Sequence, residues 1–135
     1  MTDIDVSIEQ NLAVVAEHIE NEARDPAAVL ALYTDDVVQE FPTRGLRFDT
    51  KPAIEANYRR MFAAIENVEM ETLDRFATQD RVVDDMIVRF NMVREGMDNC
   101  PIPVGNKVIL RLVHVFHMRD GKIAQEIVHE NWQIG

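Results

Sequence analysis

The C-terminal stretch reads VILRLVHVFHMRDGKIAQEIVHENW (residues 108–132) and predicts one long β-hairpin. Within residues 108–118, apolar side chains recur at alternate positions, the period at which a strand sends its side chains to opposite faces of a sheet. Residues 119–121, Arg-Asp-Gly, turn the chain, and residues 123–132 form the return strand. One face of the hairpin is almost wholly apolar, yet it carries His114, so the strand that builds the core also indicates a functional site.

Composition limits the classes of function that are open. The 135 residues fit one domain, 1–135. Lys and Arg number 14 against 24 Asp and Glu, a net charge of −10 that repels nucleic acid and anionic lipid, so we expect neither partner. The single cysteine, Cys100, allows no internal disulfide, and no apolar stretch approaches the roughly 20 residues of a membrane span. We therefore expect a cytoplasmic protein.

The order of elements favours an α+β domain with its helices on one face of a sheet. A first helix is expected from Ser7, with Gln10 completing a capping box. A short second helix begins at Asp25-Pro26, and a third runs from Thr50 to about Ile65. The predicted strands are Val37–Phe41, Val68–Thr78, Val82–Arg94 and the two strands of the final hairpin.

Two segments carry a family resemblance: Tyr33-Thr34-Asp35-Asp36-Val37 and residues 115–123, Val-Phe-His-Met-Arg-Asp-Gly-Lys-Ile. With the element order, they resemble the nuclear transport factor 2-like superfamily, and within it the SnoaL-like proteins, a group that includes polyketide cyclases. The resemblance runs from the first helix to Trp132. It implies an α+β conical barrel, a cystatin-like cone in which a strongly bent mixed or antiparallel sheet wraps around three N-terminal helices. It also implies a pocket at the wide end and a homodimer paired through the sheet.

The superfamily includes ketosteroid isomerases, epoxide hydrolases, dehydratases, cyclases and non-catalytic binding modules, so function must be argued from the pocket residues. By resemblance to the isomerases, His18 and His114 occupy the two positions that bind the oxyanion, and Tyr58 matches a pocket tyrosine. The position of the general-base aspartate holds Phe41. The catalytic aspartates of the epoxide hydrolases and cyclases fall near Val128, so none of these patterns is intact.

The register of the hairpin decides which glutamates face the pocket. A two-residue Asp-Gly turn pairs His114 with Ile127, whereas a three-residue Arg-Asp-Gly loop pairs His114 with Glu126. We expect the three-residue loop, because a tryptophan at the end of the last strand lines the pocket in similar isomerases. That register places Glu126, Val128, Glu130 and Trp132 on the inner face, and a slip of one residue would exchange the faces.

The sequence predicts a set of polar side chains in an apolar pocket. The candidate catalytic residues are His114, Glu130, Glu126, His18 and Tyr58. The candidate substrate-binding wall consists of Phe41, Val88, Phe90, Met92, Leu112 and Trp132. A histidine whose tautomer is fixed by a carboxylate can act as a general base, and burial can bring the pKa values of both groups close to neutral pH. No cofactor is expected.

Structural roles compete with these catalytic roles. His114 could be a core histidine bonded to Glu126, and His18 could be a structural residue at a helix edge. A buried Glu130 would need a partner, such as Arg111 or Arg94, or a wet cavity.

The sequence favours neither a metal site nor a site built on paired aspartates. His114 and His117 lie three apart on a strand and so face opposite ways, and no zinc site is expected. The pairs Asp35-Asp36 and Asp84-Asp85 are interpreted as solvated turns or strand edges.

Two classes of function follow from this sequence. One is a cofactor-independent acid–base lyase, isomerase or cyclase acting on a small, mostly apolar molecule. The other is a non-catalytic module of the same fold that binds a small molecule or another protein. An apolar outer face predicts that a second copy covers the sheet. Its members are Ile87, Val93, Ile109, Val113, Val115 and Ile127.

Overall fold

The last strand of the chain lies inside the sheet, between the first strand and the strand that precedes it. The computed structural model describes residues 2–135, apart from the side chain of Asp5; Met1, where the predicted domain begins, lies outside the described residues. The helices are α1 (Asp3–Asn21), α2 (Pro26–Val29) and α3 (Lys51–Ala63). The strands are β1 (Tyr33–Phe41), β2 (Leu46–Phe48), β3 (Ile65–Ala77), β4 (Arg81–Met92), β5 (Lys107–Arg119) and β6 (Lys122–Ile134).

The six strands form one mixed sheet in the order β2-β1-β6-β5-β4-β3. The pair β1–β6 is parallel, and all other neighbours are antiparallel. The predicted α+β cone is therefore confirmed, with one difference from a barrel: the sheet stays open, and β2 and β3 are its edges. The short strand β2, which the sequence analysis did not predict, pairs with the end of β1.

The helices begin where side chains satisfy their first free N–H groups. Asp25 accepts a hydrogen bond from the N–H of Ala28 at the start of α2, and Thr50 accepts one from Ala53 at the start of α3, both as predicted. Helix α1 begins at Asp3, four residues before the predicted start at Ser7. Asn11 of α1 donates to the backbone carbonyl of Gln79, which ties this helix to the turn between β3 and β4.

The core lies between the helices and the inner face of the sheet. Strand β4 alternates between buried and half-buried residues along its whole length, so every second side chain points towards the helices. Val15 of α1 and Ile54 of α3 are fully buried against this face. The inner face also receives Asp84, which the sequence analysis had interpreted as solvated.

The register of the hairpin differs from the prediction, but its faces do not. Asp120 and Gly121 form a two-residue turn with φ of 53° and 74°, the conformation that matches the twist of a tight hairpin. An irregularity in β6 then adds one residue, since His117 pairs with Gln125 while Met118 pairs with Ile123.

His114 consequently lies opposite Val128 and not opposite Glu126. The shorter turn and the added residue each shift the pairing by one, two in all relative to the predicted register, so Glu126 and Glu130 keep the inward orientation that we expected.

Candidate functional site

His114 and Asp84 form a buried pair on the inner face of the sheet. They are directly opposite each other on β5 and β4, and His114 Nδ1 lies 3.4 Å from Asp84 Oδ2. The exposed fraction is 2% for His114 and 0% for Asp84. Arg75 of β3 donates from Nε to Asp84 Oδ1 at 2.7 Å, so the carboxylate bridges an arginine and a histidine.

The charges of this pair stabilise each other. Burial raises the pKa of Asp84, but His114 and Arg75 outweigh it, so that pKa lies below its usual value. Burial lowers the pKa of His114, but Asp84, Glu126 and Glu22 outweigh it, so that pKa lies above its usual value. The ring of Phe116 stacks on the imidazole with centroids 5.5 Å apart and fixes its plane.

Glu126 is held by a set of neutral donors. Its Oε1 accepts hydrogen bonds from Tyr33 at 2.8 Å, Gln39 at 3.1 Å and Tyr58 at 3.2 Å. Asn57 donates to Gln39 Oε1, which orients the Gln39 amide towards Glu126. Burial raises the pKa of Glu126, but the nearby His18 and the donors lower it to about 2, so this carboxylate stays ionised.

His18 and Glu22 of α1 lie beside the other oxygen of Glu126. His18 Nε2 is 3.3 Å from Glu22 Oε2 and 3.4 Å from Glu126 Oε2. Burial lowers the pKa of His18, but the two glutamates raise it overall. Burial also raises the pKa of Glu22 to about 7, in spite of His18. These three side chains form the group of described residues that could hold a metal ion.

Glu130 has an arginine partner that the sequence analysis did not name. Arg44 Nε lies 3.0 Å and 3.2 Å from the two carboxylate oxygens, and both side chains are 1% exposed. The guanidinium also donates to the carbonyl of Asp98 and lies over the ring of Phe41, with its carbon 4.7 Å from the centroid. The predicted partners, Arg111 and Arg94, are engaged elsewhere: Arg111 pairs with Asp85, and Arg94 pairs with Glu66.

A cavity opens between α3 and the inner face of the sheet. Its polar lining consists of Glu22, Tyr58, His114, Glu126 and Glu130, and the rest of the wall is apolar. The space open to the centre of a water molecule is about 50 Å³, room for a few waters. Met61, Met70 and Met97 belong to the wall, and such flexible side chains can move aside for a larger ligand.

Most predicted site residues lie where the sequence placed them. His114, Glu130, Glu126 and Tyr58 line the cavity together with Phe41, Val88, Phe90, Leu112 and Trp132. Met92 is an exception, because it is buried in the core beside Cys100 and does not line the cavity. His18 is fully buried behind the wall.

Some site residues were missed by the sequence analysis. Asp84 and Asp85 were both expected in a solvated turn or strand edge. Asp84 instead points inward, in the alternation that also buries Val82 and Met86. That period was visible in the sequence. Glu22 follows His18 at helical spacing, which was also visible. Arg44 gave no such signal, because only the fold brings it to Glu130.

The fold and this cavity define an α+β cone with polar groups at the base of an apolar pocket. The chain belongs to the SnoaL-like domain family, whose model matches residues 12–126. No match is found among curated proteins. No helix in residues 2–135 combines the length and apolar character needed to cross a membrane.

Several solved structures share this fold at low sequence identity. A proposed SnoaL-like polyketide cyclase from Jannaschia sp. CCS1 is 16% identical over 97% of this chain and 90% of that one, with a TM-score of 0.81. A proposed polyketide cyclase from Xanthomonas campestris pv. campestris is 23% identical over 93% of both chains, with a TM-score of 0.74. An epoxide hydrolase-like protein from M. tuberculosis is 16% identical over 92% of this chain and 84% of that one, with a TM-score of 0.69.

Proposed function

We propose that the protein binds a small, mostly apolar molecule in the cavity and transfers a proton to or from it through His114. The observation that carries this proposal is the placement of His114, which lines the cavity while its Nδ1 faces Asp84. The Asp84 carboxylate, 3.4 Å away, electrostatically favours a proton on Nδ1 and leaves Nε2 for the bound molecule. Asp84 is thus a positioning residue and His114 is the group that contacts the substrate.

The reactions that suit this site are isomerisation, elimination and cyclisation, in which one proton is removed from carbon and another is returned. The surrounding wall, with Phe41, Leu112 and Trp132, is apolar and favours an apolar substrate. A single positioned acid–base group contributes about 10²–10⁴ in rate, which is sufficient for an activated substrate such as a ketone. The proposed class is therefore an acid–base lyase, isomerase or cyclase.

A second candidate is a binding module without chemistry. It is favoured by the state of the two glutamates, because Glu126 is held by three donors and Glu130 by Arg44. Carboxylates that are already satisfied by protein partners are poorly placed to move protons. In this alternative His114 orients the ligand by a hydrogen bond.

The test uses a panel of small cyclic ketones in deuterated buffer. Trp132, the one tryptophan of the chain, lines the cavity, so its fluorescence reports occupancy. NMR then follows the exchange of the hydrogens next to the carbonyl. We expect ketones that quench Trp132 to exchange at least about 100-fold faster with wild type than with H114Q.

The control is H129Q, which removes an exposed histidine from the same sheet and should exchange like wild type. Quenching without exchange would reject the catalytic proposal and support the binding module. Neither quenching nor exchange with any ketone of the panel would reject both.

We also propose that two copies pair through the outer face of the sheet, in the cytoplasm. Six apolar side chains of this face are half-buried within one chain: Ile87, Val93, Ile109, Val113, Val115 and Ile127. Phe76 on the edge strand extends the patch and is 53% exposed. Light scattering should give a dimer for wild type and for V104D, which changes an exposed loop residue, and a monomer for V115D. A wild-type monomer would reject this proposal.

A further inference from the structure

Three potential metal ligands meet where helix α1 packs against β6. They are His18 and Glu22 from successive turns of α1 and Glu126 from β6, and all three are buried. His18 Nε2 lies 3.3 Å from Glu22 Oε2 and 3.4 Å from Glu126 Oε2. An imidazole nitrogen with two carboxylate oxygens is a donor set that first-row divalent cations accept.

These contacts are long for hydrogen bonds, and their lengths also match the spacing of ligands around one ion. A charge-assisted N–H to carboxylate bond is about 2.7–2.9 Å long. The ligand atoms of a tetrahedral zinc are about 3.3 Å apart, because each bond to the metal is about 2.0–2.1 Å. The Tyr58 hydroxyl is also 3.3 Å from His18 Nε2, so three oxygens surround one nitrogen that has at most one proton to donate.

The hydrogen bonds to one carboxylate oxygen of Glu126 orient the other oxygen towards His18. Its Oε1 accepts three hydrogen bonds, from Tyr33, Gln39 and Tyr58, while Oε2 faces His18. Hydrogen bonds of this kind hold a ligating carboxylate in one orientation and tune its affinity for a metal. His18 Nδ1 has no hydrogen-bond partner in the described part of the chain, so the support acts through Glu126.

Glu22 gives an independent indication of a missing partner. It is 8% exposed and points into the same group, yet among the side chains that the structure describes, which exclude those of Met1 and Asp5, its only polar contact is the 3.3 Å approach to His18. Burying a carboxylate with so little compensation is unfavourable. A divalent cation between Glu22, Glu126 and a neutral His18 would balance both negative charges.

We propose that His18 Nε2 and one oxygen each of Glu22 and Glu126 bind a single first-row divalent cation, of which Zn²⁺ is the probe. Three protein ligands leave a fourth position for a water or for an oxygen of a bound molecule. Glu22 and Glu126 also line the cavity, so the ion would lie beside it. The site does not depend on proton transfer by His114.

The experiment measures Zn²⁺ binding to the untagged full chain after treatment with a chelator. Equilibrium dialysis and calorimetry should find one tightly bound Zn²⁺ per chain in wild type. E22Q should bind at least about 100-fold more weakly, since loss of a support alone costs 10–100-fold. The matched control is E20Q, which changes an exposed glutamate on the same helix and should bind like wild type.

A second measurement keeps the proposal testable if E22Q does not fold. In wild type labelled with ¹⁵N at histidine, Zn²⁺ should shift the ring nitrogens of His18 and leave those of the exposed His129 unchanged. No tightly bound Zn²⁺ in wild type would overturn the proposal. Equal affinity in E22Q and E20Q, or a Zn²⁺ shift at His129 instead of His18, would overturn it too.

Discussion

Asp84 and His114 face each other across neighbouring strands, with 3.4 Å between Oδ2 and Nδ1, and both are buried. Asp84 also accepts a hydrogen bond from Arg75, whereas His114 lines the cavity. A carboxylate held in this way orients the imidazole without using the nitrogen that faces a ligand.

The pair should make stability depend on pH. The pKa of His114 is raised in the folded protein, because Asp84, Glu126 and Glu22 outweigh burial. The contribution of His114 to the free energy of unfolding is therefore complete below its unfolded pKa of about 6.5. That contribution is lost as pH rises through the folded pKa. The pKa of Asp84 is lowered, so its contribution is lost in acid. We expect urea unfolding to show the largest loss for H114Q between about pH 4 and pH 6.5.

Over the same range the control variant H129Q, with its exposed histidine, should lose little. A difference between H114Q and wild type that stays constant from pH 4 to pH 9 would show that folding does not shift the pKa of His114.

Removal of Arg44 should destabilise the fold. R44M leaves Glu130 buried without its cationic partner, and we expect a loss of about 3 kcal/mol in the free energy of unfolding. The double variant R44M/E130Q removes the stranded charge and should recover part of this loss. R47M, which breaks an exposed pair with Asp49, should cost less than about 1 kcal/mol. An R44M loss no greater than that of R47M would contradict a buried pair.

Tyr33 should contribute through its hydroxyl group. Y33F removes the 2.8 Å hydrogen bond to Glu126 and leaves the ring in place, so we expect a loss of about 1.5 kcal/mol in urea unfolding. Burial and Glu126 hold the pKa of Tyr33 well above its usual value, so the effect should not change between pH 6 and pH 9. An unchanged stability would mean that the hydroxyl does not donate to Glu126.

The hairpin turn should depend on its glycine. Gly121 has φ of 74°, so G121A should cost about 1 kcal/mol or more. Asp120 also has positive φ, and D120N should be neutral or stabilising, because asparagine tolerates this conformation better. Thermal unfolding of both variants checks this. A stable G121A protein would favour a different turn, and with it a different register for β6.

The faces of the hairpin can be predicted from the sequence, but the pairing of its two strands cannot. The alternation of residues 108–118 follows from period alone, whereas the inward position of Glu126 also needed the family resemblance, and both are found. The extra residue in β6 is a local departure from regular pairing, and nothing in the Ala-Gln-Glu segment distinguishes it. The pairing of His114 with Val128 was therefore outside the reach of pattern analysis.

The polar partners depend on contacts between distant segments. Glu130 required a cation, which the sequence analysis expected, but Arg44 reaches it only because the turn after β1 folds over the end of β6. Asp84 is different, since its burial follows from the alternation of β4 and was overlooked through the charge of its neighbour Asp85. The helical spacing of His18 and Glu22 likewise predicts that these two side chains are neighbours. Glu126 lies beside them only in the folded chain.

The coupling of His114 to Asp84 is tested most directly by NMR titration of the histidine rings, with H114Q to assign the signal. We expect a pKa for His114 above the ordinary value of about 6.5, a clear fall of that pKa in D84N, and a change in the His114 signal when a ketone quenches Trp132. A His114 pKa at or below the ordinary value that is the same in D84N, with no response to a bound ketone, would show that His114 is neither coupled to Asp84 nor in contact with the ligand.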